Sequence, residues 1–300
     1  MERIWNTIDD MNNDMKNIKT FNQIKILTIY GKFNFSLPNT LTHLYCYGNQ
    51  LSRLPELPDT LTYLCCNNIQ LSSLPELPNT LTYLDCHNNK LSSLPKLPNT
   101  LTHLYCNINE LSSLPKLPNI LTYFECSCNK LLSLPELPNT LINLDCSYNQ
   151  LSSLPKLPNT LTYLYCCNNQ LSSLPKFPNT LTYLNCSHNR LLSLPELPNT
   201  LTKLYCYDNK LLNLPKLSNT LTHLLCHNNP FNLWKALIDP TKINIDCAEI
   251  IYEKLNILDY KIKEIEREIN EAKIDQYNKK MSELKKEIDK IVNFKFEIIL

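Results

Sequence analysis

Ten of the fourteen cysteines recur every twenty residues, at positions 46, 66, 86, 106, 126, 146, 166, 186, 206 and 226, and they are the first candidates for chemistry. Such a set raises a metal or redox role. Zinc, however, needs Cys and His converging tetrahedrally, whereas equivalent positions in a repeat point their side chains in parallel. Neighbouring copies come close enough for disulfides, but their Cβ vectors run side by side rather than toward each other. Leu84 and Cys86 share one parity against Tyr83, Asp85 and His87, the alternation of a short strand with one buried face. The thiols therefore point inward as small core hydrophobes, reduced, with no metal and no cofactor. Cys65, Cys128 and Cys167 fall at outward positions on different strands and form no ligand set. The histidines, at 43, 87, 103, 188, 223 and 227, lie at inner-surface or turn positions, no two on adjacent strands of one column, and His223 with His227 reads as a surface pair. No nucleotide-binding loop, Ser-His-Asp arrangement or HExxH string occurs. No catalytic residue is assigned.

The outward strand positions carry the remaining candidates. One column reads His43, Tyr63, Tyr83, His103, Tyr123, Asn143, Tyr163, Tyr183, Lys203, His223. The next reads Tyr45, Cys65, Asp85, Tyr105, Glu125, Asp145, Tyr165, Asn185, Tyr205, Leu225. With Tyr47, Tyr148 and Tyr207, most of the sixteen tyrosines belong to this inner face, and Asp85, Glu125 and Asp145 place an acidic patch among them. Tyr offers a large, fairly rigid contact surface with a polar tip, which suits a protein interface. It is also a good strand residue that duplication would copy. The partner-binding set expected on the concave face is Tyr45, Tyr63, Tyr83, Asp85, Tyr105, Tyr123, Glu125, Asp145, Tyr163, Tyr165, Tyr183 and Tyr205.

What positions these residues is an internal repeat. Ten copies run without a gap from Leu37 to about Ala236, each built on Leu-x-x-Leu-x-Cys-x-x-Asn-x-Leu, as in Leu81, Leu84, Cys86, Asn89 and Leu91. Asn89 turns the chain inward, and its amide can bond backbone groups of the adjoining turn. The string LPELPNT that follows fixes an extended, polyproline-like return, and eighteen of the twenty prolines serve this strip. One copy cannot stand alone: its leucines, at ~1.5–3 kcal/mol each, fall short of ordering twenty residues at ~1–2 kcal/mol each. Stacked copies bury each other's faces as a solenoid, with strands ~4.8 Å apart. This pattern resembles the leucine-rich repeat, and its LSSLPELP tail is similar to the short variety of enteric bacterial effectors and to arrays in giant viruses of amoebae. The resemblance implies an α/β solenoid with a parallel sheet on the concave face, binding a protein partner, in the host cytoplasm if the chain is viral.

Both ends need covers. Phe21, Ile24 and Ile26 precede Leu41, Leu44 and Cys46 by twenty residues, which predicts a degenerate first repeat within an N-terminal unit of residues 1–36. Ile4, Ile8, Met11, Met15 and Ile18 mark one face of an amphipathic helical cap. Beyond the array of residues 37–236, residues 237–247 read as a C-terminal cap with KINID as a last strand, and Phe231 and Trp234 close the core. Residues 248–300 carry heptad spacing with a phase shift between Glu271 and Asp275, either one coiled coil with a discontinuity or an antiparallel hairpin. This tail could drive self-association. Some effectors with this repeat carry a ubiquitin-ligase domain with a catalytic cysteine after the array; here Cys247 is followed by only some fifty residues, too few for such a domain. A receptor or adaptor in ubiquitin transfer, or a mainly structural assembly, are the alternatives to an interaction module. A net charge of +1 gives no reason to expect nucleic acid or an anionic membrane. The N-terminus lacks the apolar core of a secretory signal, and the chain reads as intracellular.

Overall fold

A computed structural model describes residues 1–5, 10, 12, 16–30, 36–46, 53–230 and 280–287. Twelve strands follow one another: β1 (Glu2–Trp5), β2 (Ile26–Ile29), β3 (His43–Cys46), β4 (Tyr63–Cys65), β5 (Tyr83–Asp85), β6 (His103–Tyr105), β7 (Tyr123–Glu125), β8 (Asn143–Asp145), β9 (Tyr163–Tyr165), β10 (Tyr183–Asn185), β11 (Lys203–Tyr205) and β12 (His223–Leu225). They form one sheet in chain order, every pair parallel. Register never slips along the array: Tyr63, Tyr83 and His103 are partners, as are Leu64, Leu84 and Leu104. Among the described residues, no helix is long and apolar enough to cross a membrane.

Each strand is short because the ladder does not stop at its end. The Cys86 N–H donates to Tyr105 O at 2.8 Å and Asn88 N–H to Asn107 O at 2.9 Å, while Lys90 N–H reaches back to Leu71 O at 2.8 Å. Backbone pairing thus rounds the turn. The turn itself requires a left-handed residue two places after each ladder cysteine from Cys66 to Cys226. Asn68, Asn88, Asn168, His188, Asp208 and Asn228 meet that demand with side chains that tolerate it, whereas Ile108, Cys128 and Tyr148 hold φ between 52° and 54° against their preference. At the other end, Leu81 N–H closes a turn onto Pro78 O at 3.0 Å, and Thr80 Oγ1 donates to Leu61 O and Asp59 O of the preceding copy.

Asparagine performs the role read from its position. Asn149 Nδ2 donates to Cys126 O, Cys146 O and Ser147 O, and Oδ1 accepts Leu131 N–H at 3.0 Å. Every contact except those to Cys146 and Ser147 crosses to the neighbouring copy, so the amide joins two rungs through otherwise dry backbone groups. The same set recurs at Asn109, Asn129, Asn189 and Asn209. Ile69 occupies this position in one copy and is fully buried instead.

The core is one cluster of leucine columns with the cysteine column beside them. Cys46 through Cys206 are fully buried along that column, and all are free thiols. Burial pushes them far above the ordinary thiol range, with the neighbouring ladder thiols adding to the rise for Cys66, Cys126 and Cys166. Two cysteines expected outside are not. Cys65 and Cys167 are buried: Cys65 lies beneath the amide of Asn67, whose Nδ2 is 3.1 Å away, and Cys167 belongs to a narrow column of small side chains. Cys128 is exposed.

The N-terminal end departs from the pattern in two ways. Ile26 pairs with His43, Leu27 with Leu44 and Ile29 with Cys46, so the offset there is seventeen residues rather than twenty. Ile24, Leu27 and Ile29 are the buried triad, not Phe21, Ile24 and Ile26. Thr40 confirms the frame by donating to Ile24 O at 2.8 Å, as Thr60 does to Leu41 O. Both triads obey the Leu-x-x-Leu-x-Cys spacing, and the ladder selects the later one. Phe21 ends the short helix α1 (Ile18–Phe21) and packs on the core margin. Ile4, expected on a helix face, stands in β1, which pairs with β2 and forms the outer edge of the sheet. Ile8, Met11, Met15, Phe231, Trp234, Cys247 and the KINID segment lie outside the described residues. Of the tail, residues 280–287 are described and form a helix, α2.

Replacing Asn149 by Ala strands the Leu131 N–H, worth about 1–3 kcal/mol when buried unpaired, and removes one of the two amide donors to each of Cys126 O and Cys146 O, which keep Asn129 and Asn169. Denaturant melts should show a loss of at least about 2 kcal/mol. Alkaline pH provides a second test. A thiol whose folded pKa is raised keeps its proton in the array but loses it on unfolding, so its stabilisation is complete below the ordinary thiol range and declines above it. Each ladder cysteine then contributes about 1.4 kcal/mol of destabilisation per pH unit. Melting temperature should fall steeply from about pH 9 upward, and a variant with three ladder cysteines replaced by Val should show a shallower decline.

Candidate partner-binding face

The site follows from the register. In-register parallel strands put equivalent positions ~4.8 Å apart, within the range at which aromatic rings stack. Aromatic residues repeated in one column must therefore bring their rings into contact, stacked or tilted. Ring centroids are separated by 5.5 Å for His43 and Tyr63, 4.1 Å for Tyr63 and Tyr83, 5.7 Å for Tyr83 and His103, and 4.7 Å for His103 and Tyr123. Tyr45 and Tyr105 lean on this stack from the second column, against Tyr63 and Tyr83. Asn143 interrupts it. Beyond the gap a second group forms, in which Tyr183 touches Tyr163, Tyr165 and Tyr205.

These contacts alter the titrating groups. Burial pushes the Tyr83 hydroxyl above the ordinary phenol range, reinforced by its hydrogen bond to Tyr63. Tyr183 is raised in the same way, first by burial and then by Tyr165 and Tyr205. His103 is lowered by burial and shares a 2.9 Å hydrogen bond between its Nδ1 and Thr102 Oγ1.

The three carboxylates expected as one patch are not equivalent. Asp85 is only 8% exposed. It accepts from Asn67 Nδ2 at 2.7 Å and from His87 N–H at 3.2 Å, lies 2.6 Å from His87 Nδ1, and takes the Cys65 thiol at 3.6 Å. Its own neighbours engage it fully. Glu125 and Asp145 face each other on β7 and β8. Asp145 Oδ1 accepts Ser147 N–H at 3.0 Å. Glu125 is held above the ordinary carboxylate range, first by burial and then by Asp145 and Asp85.

All twelve expected residues therefore lie on strands β3 to β11 in two adjoining columns, but two aromatic groups and a carboxylate pair replace the uniform face. Tyr207 stands in a third column, stacked on His227 at 4.6 Å and edge-on to His188. Tyr148 sits at the left-handed turn and is exposed, and Tyr47 lies outside the described residues. His223 and His227 occupy different columns. The left-handed column and the Asp85 network escaped the sequence reading; the recurrence of Asn or Asp two places after the cysteine was the available signal for the former. Two clefts, of about 350 and 630 Å³, open on the opposite, convex side. They are framed by Glu76, Leu77, Pro95 and Lys96, and by Lys116, Leu117, Pro135 and Glu136. Among the described residues no group of three or more His, Cys, Asp and Glu is placed to hold a metal ion.

No protein-family model matches the chain, and no curated protein sequence does. Solved structures do. YopM from Yersinia enterocolitica is 35% identical with a TM-score of 0.59, over 69% of this chain and 55% of its own. The functional domain of InlJ from Listeria monocytogenes, which includes a cysteine ladder, is 30% identical with a TM-score of 0.57, over 65% of this chain and 46% of its own. The chain thus spans about half the length of these two proteins. The leucine-rich repeat domain of APL1B shares the fold at 22% identity and a TM-score of 0.60, over 76% of this chain and 75% of its own. The twenty-residue period, the unbroken parallel ladder and these likenesses identify the chain as a leucine-rich-repeat protein of the short, bacterial-effector-like type.

Proposed function

We propose that the chain is a non-enzymatic interaction module that holds a protein partner on its concave face. The observation that carries this reading is the distribution of side chains. Residues that serve the core and the ladder are nearly invariant from copy to copy, while the two concave columns vary in charge and size yet stay rich in tyrosine. Simple copying of a founder tyrosine would yield a uniform column; the second column instead alternates Tyr105, Glu125, Asp145, Tyr165 and Asn185. Tyr123 and Tyr163 are 37% and 41% exposed, so their rings remain available for contact. Buried on a partner, such aromatics are typical anchors of binding energy. Self-association through residues 248–300 is compatible with this role and independent of it.

Affinity capture from host-cell lysate, followed by mass spectrometry, identifies the partner. Replacing Tyr105, Glu125 and Tyr165 together by Ala should then weaken capture at least about 100-fold, since two anchors at about 2 kcal/mol each exceed that factor. Circular dichroism should stay unchanged, because none of the three fills the core. Capture undiminished in the folded variant would remove the concave face from the role.

A further inference from the structure

We propose that the middle of the concave face, around Glu125 and Asp145, receives an arginine side chain from an extended basic segment of the protein partner. This rests on the reading of the concave face as the binding surface, and it specifies what that surface recognises.

Three observations converge on this place. The first is the gap in the aromatic wall. Tyr123 and Tyr163 flank Asn143 on β7 and β9, and they are exposed where the tyrosines within the stacks are half-buried. A group seated over Asn143 stands one strand spacing, ~4.8 Å, from each flanking tyrosine strand. That is inside the ~6 Å reach of a cation over an aromatic ring.

The second is a surplus of acceptors without donors. Glu125 has no side-chain hydrogen bond or ion pair among the described residues, and it shares its site with the like charge of Asp145. The amide oxygens of Asn107 and Asn143 are buried with no hydrogen-bond partner. These two asparagines lie diagonally on either side of Glu125, one on each neighbouring rung. No lysine or arginine occurs in the two tyrosine-bearing columns from His43 to Asn185. The one positive influence on Glu125 among the described residues comes from His87, which Asp85 already engages at 2.6 Å, so oxygen outnumbers cation here.

The third is room for a chain. In the column beyond the carboxylates, Ser127, Ser147, Cys167 and Ser187 are small and buried, so no long side chain of theirs stands between the acids and the exposed turn residues Ile108, Cys128 and Tyr148. An extended segment laid there can turn a side chain toward Glu125 and Asp145. Arginine fits better than lysine: its planar fork spreads five donors over acceptors on two strands, and its face stacks on tyrosine. Two carboxylates alone offer too few ligands for a metal ion.

The test uses the intact chain and a fluorescein-labelled octapeptide, Gly-Arg-Ser-Arg-Gly-Arg-Ser-Gly, followed by anisotropy at about 50 mM salt. Two counterparts carry lysine, or the neutral isostere citrulline, in place of arginine. The arginine peptide should bind at least about tenfold more tightly than the citrulline peptide and about threefold more tightly than the lysine one. Glu125→Gln with Asp145→Asn should lose at least about tenfold. Glu76→Gln with Glu136→Gln, the same charge change on the convex side, should stay within about twofold. Equal weakening by the convex pair, equal binding of the citrulline peptide, no loss in the E125Q/D145N variant, or no binding of the arginine peptide each overturns the inference. If any of these occurs while the Tyr105, Glu125 and Tyr165 replacement still abolishes capture of the cellular partner, the concave-face reading stands and only the arginine assignment fails.

Discussion

Every feature of this molecule depends on one constraint: consecutive copies pair in parallel without a slip, one strand spacing apart. That spacing lets a single Asn amide reach backbone groups of two copies at once, and it lets ten thiols line up without bonding. It also forces neighbouring concave residues into contact. The core and the concave face are therefore two consequences of the same ladder. A column placed inward becomes a row of leucine or cysteine. A column placed outward becomes a stack of rings or, where acids fall side by side, an electrostatic conflict.

Much of this was legible in the sequence because periodicity states burial directly. Leu84, Cys86 and Asn89 each declare their role by recurring at a fixed place, and the twelve concave residues follow by parity. What stayed hidden was whatever depends on a neighbour in the next copy. Parity assigned Cys65 to the outside, yet the side chains around it cover it. Composition grouped Asp85 with Glu125 and Asp145, although Asn67 and His87 satisfy Asp85 alone. At the N-terminus, two apolar triads with identical spacing competed, and only backbone pairing to Leu44 and Cys46 decides between them. Spacing within one strand carries no information about the offset to the next.

The repeat also violates its own rules, and the violations are grouped. Left-handed residues other than Asn or Asp cost on the order of 1–3 kcal/mol, most for a β-branched side chain such as Ile108. Ile108, Cys128 and Tyr148 occupy that position in three consecutive copies, the same copies that hold Tyr105, Glu125 and Asp145. Backbone pairing on both sides, such as Ile108 N–H to Ser127 O at 2.9 Å, fixes the turn regardless of the residue placed there. The ladder thus supplies the surplus stability that lets exposed, strained apolar side chains border the centre of the face.

Irregularity matters because a perfectly periodic surface has no unique register. A partner bound to a uniform tyrosine column could shift by one copy, ~4.8 Å, and recover nearly every contact it lost. Specificity is a difference between affinities, and here that difference must come from positions where the copies disagree. Asn143 breaks the ring stack at one place only within the run from His43 to Tyr183, and the opposed acids occur beside it. A segment that satisfies Glu125 and Asp145 together in one register meets only one of them after a shift of one copy, beside Tyr105 or Tyr165, and so loses half of its charge partners. The near-identity of the copies builds the scaffold, and the few departures from it fix where along the scaffold a partner can settle.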